Sequence, residues 1–265
     1  MQQLFDTHAH PQMKNFDRDR DEALARAKED GVRMVCVGVD LDSSQAAIEL
    51  ASAYDHVWAS VGLHPNDNLS EVYDQQVYAE LLASPRVVAI GEVGLDYYRT
   101  PDAPQQRIQY ERLVQQLSLA REYHKPLIIH CRDGAQKNAH ADMRTLLQSS
   151  EFVGKVSGVI HSFTGTYADA KAYINLGFMI GLNGIITFAR QYDDTAMEIP
   201  LEDIVLETDS PYLTPEPHRG ERNEPAFVGF VAEQLARLRR TSFERVAEHT
   251  TRNSEKLFTI PSVLV

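Results

Sequence analysis

The chain has 265 residues, a formal charge of −12, 43% hydrophobic and 24% charged residues. That length and composition suit a chain that buries a large core of its own, and they exclude a disordered polymer or a disulfide-dependent miniature. The acidic balance excludes a protein that wraps or scans duplex DNA, because phosphate neutralisation supplies most non-specific affinity. It leaves room for an enzyme that holds a nucleic-acid end in one cleft, where bound divalent ions bring their own positive charge.

Cys36 and Cys131 form no C-x-x-C pair, which fits a reducing compartment better than a disulfide scaffold. Met1 to Asp6 contains no basic segment followed by an apolar one, so no secretory signal is expected. No stretch is apolar and long enough to span a membrane, and the expected location is the cytoplasm. No low-complexity segment or Pro/Gly/Ser linker divides residues 1–265, which are read as a single domain.

Eight short apolar runs read as strands from their brevity and β-branched content. In chain order they are Leu4 to His8, Arg33 to Val39, Val57 to Gly62, Val87 to Glu92, Leu127 to His130, Val159 to His161, Phe178 to Leu182 and Ile204 to Glu207. Helical patterns lie between them. Asp42-Ser43-Ser44-Gln45 has the form of a capping box before Ala46 to Tyr54, and Thr166-Tyr167-Ala168-Asp169 has it before Ala170 to Leu176. Pro104 suits the first turn of a long helix running toward His124, and Gly31 and Gly177 fall where C-caps are expected. Helices over Ala226 to Arg239 and Phe243 to Phe258 follow the last strand. Strands alternating with helices point to an α/β fold with a parallel sheet. Eight units suggest a closed TIM-type (β/α)8 barrel, with an open doubly wound sheet as the alternative.

Most of these strands end in ionisable residues. Asp6-Thr7-His8-Ala9-His10 places His8 and His10 on one strand face, with Asp6 below them. Other ends carry Glu92 and Asp96, His130-Cys131-Arg132-Asp133, His161-Ser162, and Glu207-Thr208-Asp209-Ser210-Pro211. In a barrel these ends meet at one mouth, where active sites of this architecture lie. Imidazoles with carboxylates suit zinc, manganese or similar divalent ions, and suit calcium less well. Three or four imidazoles with two carboxylates exceed what one tetrahedral ion needs, and they suit two ions sharing a bridging carboxylate. A lone H-x-H is as often an ordinary surface or packed pair; the recurrence at five strand ends is what points to a site. His56, His124, His140, His249, Cys36 and Cys131 are read as packing or linking residues.

With these segments in view, the chain resembles the TatD family of metal-dependent deoxyribonucleases. The resemblance rests on Asp6-Thr7-His8-Ala9-His10, Gly62-Leu63-His64-Pro65, Ile90 to Tyr98, His130 to Asp133, His161 to Gly165, Leu206 to Pro215 and Arg219 to Pro225. One departure is Ser162, where the family usually has cysteine; by strand parity it faces away from His161. The resemblance implies a TIM-type barrel of the amidohydrolase superfamily. It implies that His8, His10, Glu92 and Asp209 bind one ion, and that Glu92 bridges to a second held by His130 and His161. It also implies magnesium-, manganese- or zinc-dependent hydrolysis of DNA, often from the 3′ end of single strands, with no obligate protein partner in view.

On that reading Asp209 orients the attacking water and takes its proton, while Glu92 sets the ion separation. Phosphate contacts are expected from Arg132, which shares strand parity with His130, from His64, and from Arg219, Arg222 and Asn223 in the loop after the eighth strand. Tyr97 and Tyr98 are candidates to stack on a terminal base, with packing as the equally common role of such tyrosines. Glu207 is expected to orient a ligand histidine, and Asp6 to do so for His8 or His10. The competing readings are a metal-dependent hydrolase of a small amide, ester or lactone, and a silent metal-binding scaffold.

Overall fold

The computed structural model describes residues 3–66, 68 and 70–262. Eight strands form one sheet in sequential order, every neighbouring pair parallel. They are β1 (Leu4–Ala9), β2 (Val32–Val37), β3 (Val57–Val61), β4 (Val87–Asp96), β5 (Leu127–Arg132), β6 (Gly158–Ile160), β7 (Phe178–Leu182) and β8 (Ile204–Leu206). The first and last strands meet through a parallel bridge between Ala9 and Ser210 and through backbone bonds from Asp209 N to His8 O and from His10 N to Ser210 O. The architecture is a TIM barrel.

Helices run between and after the strands: α1 (Arg20–Glu29), α2 (Leu41–Ala53), α3 (Gln75–Leu81), α4 (Ala103–Tyr123), α5 (Ala139–Leu147), α6 (Tyr167–Asn175), α7 (Ile185–Phe188), α8 (Asp193–Glu198), α9 (Val228–Arg239) and α10 (Phe243–Phe258). The large core lies between these helices and the outer strand face; Leu24, Ala47, Leu113 and Leu117 pack there against Met34, Val61, Val93 and Leu127. A second apolar layer fills the barrel interior at its floor. Phe5, Val35, Ile128, Val159 and Val205 point inward there, closed from below by Phe258 and Ile260. The floor is therefore plugged, and the open end is the mouth at the C-terminal strand ends.

Most expected boundaries hold within one or two residues, and three local expectations are corrected. The α2 capping box belongs to Asp40 and Ser43, not to Asp42. Asp40 Oδ1 accepts from Ser43 N at 2.8 Å and Ser43 Oγ accepts from Asp40 N at 3.0 Å, so the helix starts earlier and Asp42 lies inside it. The box from Thr166 to Asp169, the Pro near the start of α4, and positive φ at Gly31 and Gly177 are all present. Strand β4 continues past Glu92 to Asp96, because Val93 to Asp96 pair with Ile129 to Arg132 of β5. A Cβ on Gly94 would lie 1.8 Å from the His130 carbonyl, so only glycine lets the two strands close there. Finally, the β1–β2 register shifts between Asp6 and Ala9, which breaks the alternation that would put Asp6 beneath the histidines.

Candidate metal centre

The mouth is organised around Glu92, which is 4% exposed. Its two carboxylate oxygens face different partners. Oε2 lies 3.3 Å from His8 Nε2 and 3.9 Å from His10 Nε2, and Asp209 Oδ1 closes that side at 3.8 and 3.6 Å from the same nitrogens. Oε1 lies 2.9 Å from His130 Nδ1, 3.5 Å from His64 Nε2 and 3.7 Å from His161 Nε2. All six expected ligand residues are thus brought together, and His64 joins them as a further nitrogen rather than standing apart at the rim.

The nitrogen geometry fits a cation. His8 Nε2 and His10 Nε2 are 3.0 Å apart. Two imidazole nitrogens that close either share one proton or face a common positive charge. The groups His8, His10, Glu92 and His64, Glu92, His130 each place their ligand atoms within 4.8 Å of one another. His10 is oriented from behind by Val37, whose carbonyl lies 2.8 Å from Nδ1. Such outer contacts fix the tautomer that leaves Nε2 for a metal.

Protonation follows the same layout. Burial, reinforced by the nearby His161, pushes His8 down to about 4. Burial also pulls His161 down, but Glu207 and Glu92 outweigh it and raise His161 to about 10. His130 reaches about 9 for the same reason, with Asp96 and Glu92 overcoming burial. Burial raises Glu92, yet the surrounding histidines, His64 and His8 foremost, hold it well below the ordinary carboxylate range. Asp209 is likewise held low against burial by His10, His161 and His8. Both carboxylates are therefore ionised at neutral pH, as metal ligation requires.

Supporting residues divide into those expected and those not. Glu207 Oε1 sits 3.0 Å from His161 Nδ1, although the ring N–H is not aligned on that oxygen; it accepts a 2.6 Å bond from Ser162 N instead. Asp6 does not reach either histidine ring. Its Oδ1 accepts from the backbone of His8 and Thr208 and its Oδ2 from Thr208 Oγ1, which ties β1 to the turn after β8. Ser162 does not face away. Strand β6 has ended, φ is 47°, and the side chain lines the mouth and accepts from Asn183 Nδ2 at 2.9 Å. Asp96 was not singled out as a partner, yet its Oδ2 lies 3.2 Å from His130 Nε2. The signal was present in the spacing: Glu92 and Asp96 are four apart, an even separation along one strand.

The mouth opens into a cavity of about 650 Å³ that His10, His64, Glu92, His130, His161 and Asp209 line from below. Among the expected phosphate contacts, Arg132 borders it, exposed, with its guanidinium 4.0 Å from the Tyr98 ring. Arg219 lies behind the rim, 3.8 Å over Phe188, donating to Thr214 O. Arg222 is committed to Asp19 through two bonds. Asn223 is fully buried, and its amide donates to Thr208 O and Tyr212 O while Oδ1 accepts from Glu224 N, so it shapes the loop from within and the structure does not bring it to the cavity. Tyr97 is buried and bonded to Asp142, leaving only Tyr98 exposed.

Comparison with known proteins adds the chemistry. Residues 5–259 match the family described as TatD related DNase. The Bacillus subtilis protein described as uncharacterized metal-dependent hydrolase YabD is 40% identical over 97% of this chain and 99% of its own length. The Escherichia fergusonii protein named 3'-5' ssDNA/RNA exonuclease TatD is 35% identical, covering 97% and 99%. Among solved structures, the TatD homolog YjjV from Escherichia coli superposes with a TM-score of 0.86 at 30% identity, covering 97% of this chain and 98% of that one.

Proposed function

The chain belongs to the TatD family of metal-dependent hydrolases, and from that premise we propose that it is a deoxyribonuclease acting 3′ to 5′ on single strands through two divalent ions. The observation that carries the two-ion reading is the division at Glu92, where one oxygen serves His8 and His10 and the other serves His130, His161 and His64. His8, His10 and Asp209 would hold one ion, His130 and His161 the other, with Glu92 common to both; magnesium, manganese and zinc all suit the donor set. Bound there, the ions would polarise a phosphate and acidify a nearby water.

The protein's own groups complete the reaction. Asp209, ionised and 15% exposed at its side chain, is the base that takes the water's proton. Its left-handed backbone, φ 57°, turns the carboxylate off the end of β8 toward His10. Asp96 bonds His130 from behind, and Glu207 sets its charge beside His161. Arg132 meets a phosphate oxygen at the rim. The buried, unpaired thiols of Cys36 and Cys131 fit a cytoplasmic enzyme. Among the described residues no helix is long and apolar enough to cross a membrane.

One assay tests this reading. Single-stranded DNA labelled at either end is incubated with protein and a series of metals. A ladder shortening from the 3′ end, abolished by chelation and restored by manganese or magnesium, is the expected result. No cleavage under any metal would transfer the site to small amide, ester or lactone substrates.

A further inference from the structure

The rim of the mouth is two-sided. The loops after β7, β8 and β1 supply Phe188, Tyr192, Tyr212, Leu213 and Met13 to the cavity. The loop after β4 supplies Arg99 and the end of β5 supplies Arg132. Sequential strand order in a closed eight-stranded barrel sets β8 and β1 opposite β4 and β5, so Tyr212, Leu213 and Met13 face Arg99 and Arg132 across the ligand cluster, and Phe188 and Tyr192 after β7 flank them.

The aromatic wall is exposed and braced. Phe188 is 37% and Tyr212 51% exposed, and both border the cavity. The Arg219 guanidinium covers Phe188 at 3.8 Å, which leaves the cavity to the ring's other face or edge. Tyr212 Oη reaches Met13 Sδ at 3.6 Å. At Gly184, which precedes α7, a Cβ would lie 2.1 Å from Leu213 O, so the segments bearing Phe188 and Tyr212 approach closely, backbone to backbone. Leu213 itself holds a left-handed φ of 52°, a strained conformation of the kind found at ligand clamps.

We propose that this wall is a base-stacking platform, with Phe188 and Tyr212 receiving unpaired bases while Arg99 and Arg132 receive the phosphates opposite. The inference rests on the phosphodiesterase reading of the site and deepens it. Flat apolar rings take any base by its π-face, and the guanidinium side takes the backbone, so the strand is gripped without its sequence being read. Paired bases have their faces covered by neighbouring pairs, and a continuous duplex is refused. Arg219 is a positioning residue in this scheme, since it holds Phe188 rather than a phosphate.

The test is binding of metal-loaded protein to two short fluorescein-labelled strands with slowly cleaved phosphorothioate links, one of thymidines and one abasic. The wild type should prefer the thymidine strand. Phe188→Ala and Tyr212→Ala should each reduce that preference at least about fivefold, Phe188→Trp should retain it, and Arg132→Ala should weaken both strands alike. Absence of a wild-type preference, or a preference untouched by both alanine variants, overturns the platform. A loss in Arg132→Ala confined to the thymidine strand overturns the division of walls. Cleavage of ordinary strands is read in parallel. Preferential binding without cleavage removes the phosphodiesterase reading and leaves the platform; cleavage without preference does the reverse.

Discussion

The two ends of the barrel treat buried charge in opposite ways. At the floor Arg33 pairs with Glu255 and lies 5.4 Å over Phe5, with its buried Nε left without a hydrogen bond. Arg86 donates to the carbonyls of Ala51, Tyr54, Asp55 and Val57 and lies 4.7 Å over Trp58. At the mouth, nitrogen faces nitrogen across 3.0 Å between His8 and His10, and Ser162, Asp209 and Leu213 all hold left-handed backbone. Each such residue costs about 1–2 kcal/mol. At the floor the arginines are fixed by carboxylate and carbonyl oxygens, whereas at the mouth histidine nitrogens and carboxylate oxygens converge in groups able to hold a metal ion.

The largest effect that would sharpen this contrast is at Glu92. Glu92→Gln keeps the shape and removes the charge that both histidine sets face. Turnover should fall by about 10³-fold or more, several kcal/mol of transition-state stabilisation, while circular dichroism shows that the variant still folds. Near-normal kcat/KM in this variant would move the chemistry away from the mouth.

At the floor the expected result is the mirror image. Arg33→Met leaves Glu255 without its partner and should cost about 3 kcal/mol in denaturant unfolding, with turnover per folded molecule unchanged. A rate loss there would break the division between the ends. Glu207→Gln comes next, removing the charge beside His161. Metal affinity should drop about 10- to 100-fold, read by titration calorimetry, with a smaller change in stability.

The smallest effect is with pH. In the metal-free protein His130 and His161 sit at about 9 and 10, above their ordinary 6.5. Raised values mean that their contribution to folding is full below about 6.5 and is lost as pH climbs through 9 to 10. Metal needs the same nitrogens unprotonated, so its affinity moves the other way. Thermal midpoints of metal-free protein should fall across that range, and manganese added near neutral pH should release protons. A midpoint that rises instead would contradict the charge state assigned to these histidines.

How far the sequence carried the account follows from the kind of interaction involved. Eight apolar runs sufficed for the barrel, because a strand buried on both faces shows itself in composition. The convergence of His8, His10, Glu92, His130, His161 and Asp209 was legible because each lies in or just after the C-terminal half of a strand. Asp6 and Ser162 were misplaced because alternation assumes regular strands, and a register shift in one case and a left-handed turn in the other break it. Asn223 and Arg219 stand in a loop with the residue types of a phosphate site, but their actual partners, backbone carbonyls and the Phe188 ring, are set by tertiary packing that no local pattern encodes. The aromatic wall was missed for the same reason, since Phe188, Tyr212 and Met13 come from three separate loops.

The proposed joining of two ion sites by Glu92 is decided by metal stoichiometry. Titration of metal-free protein with manganese, followed by calorimetry and checked by elemental analysis, should give two ions per wild-type chain, with Glu92→Gln weakening both. Saturation at one ion, or two ions bound equally well by the variant, would contradict it.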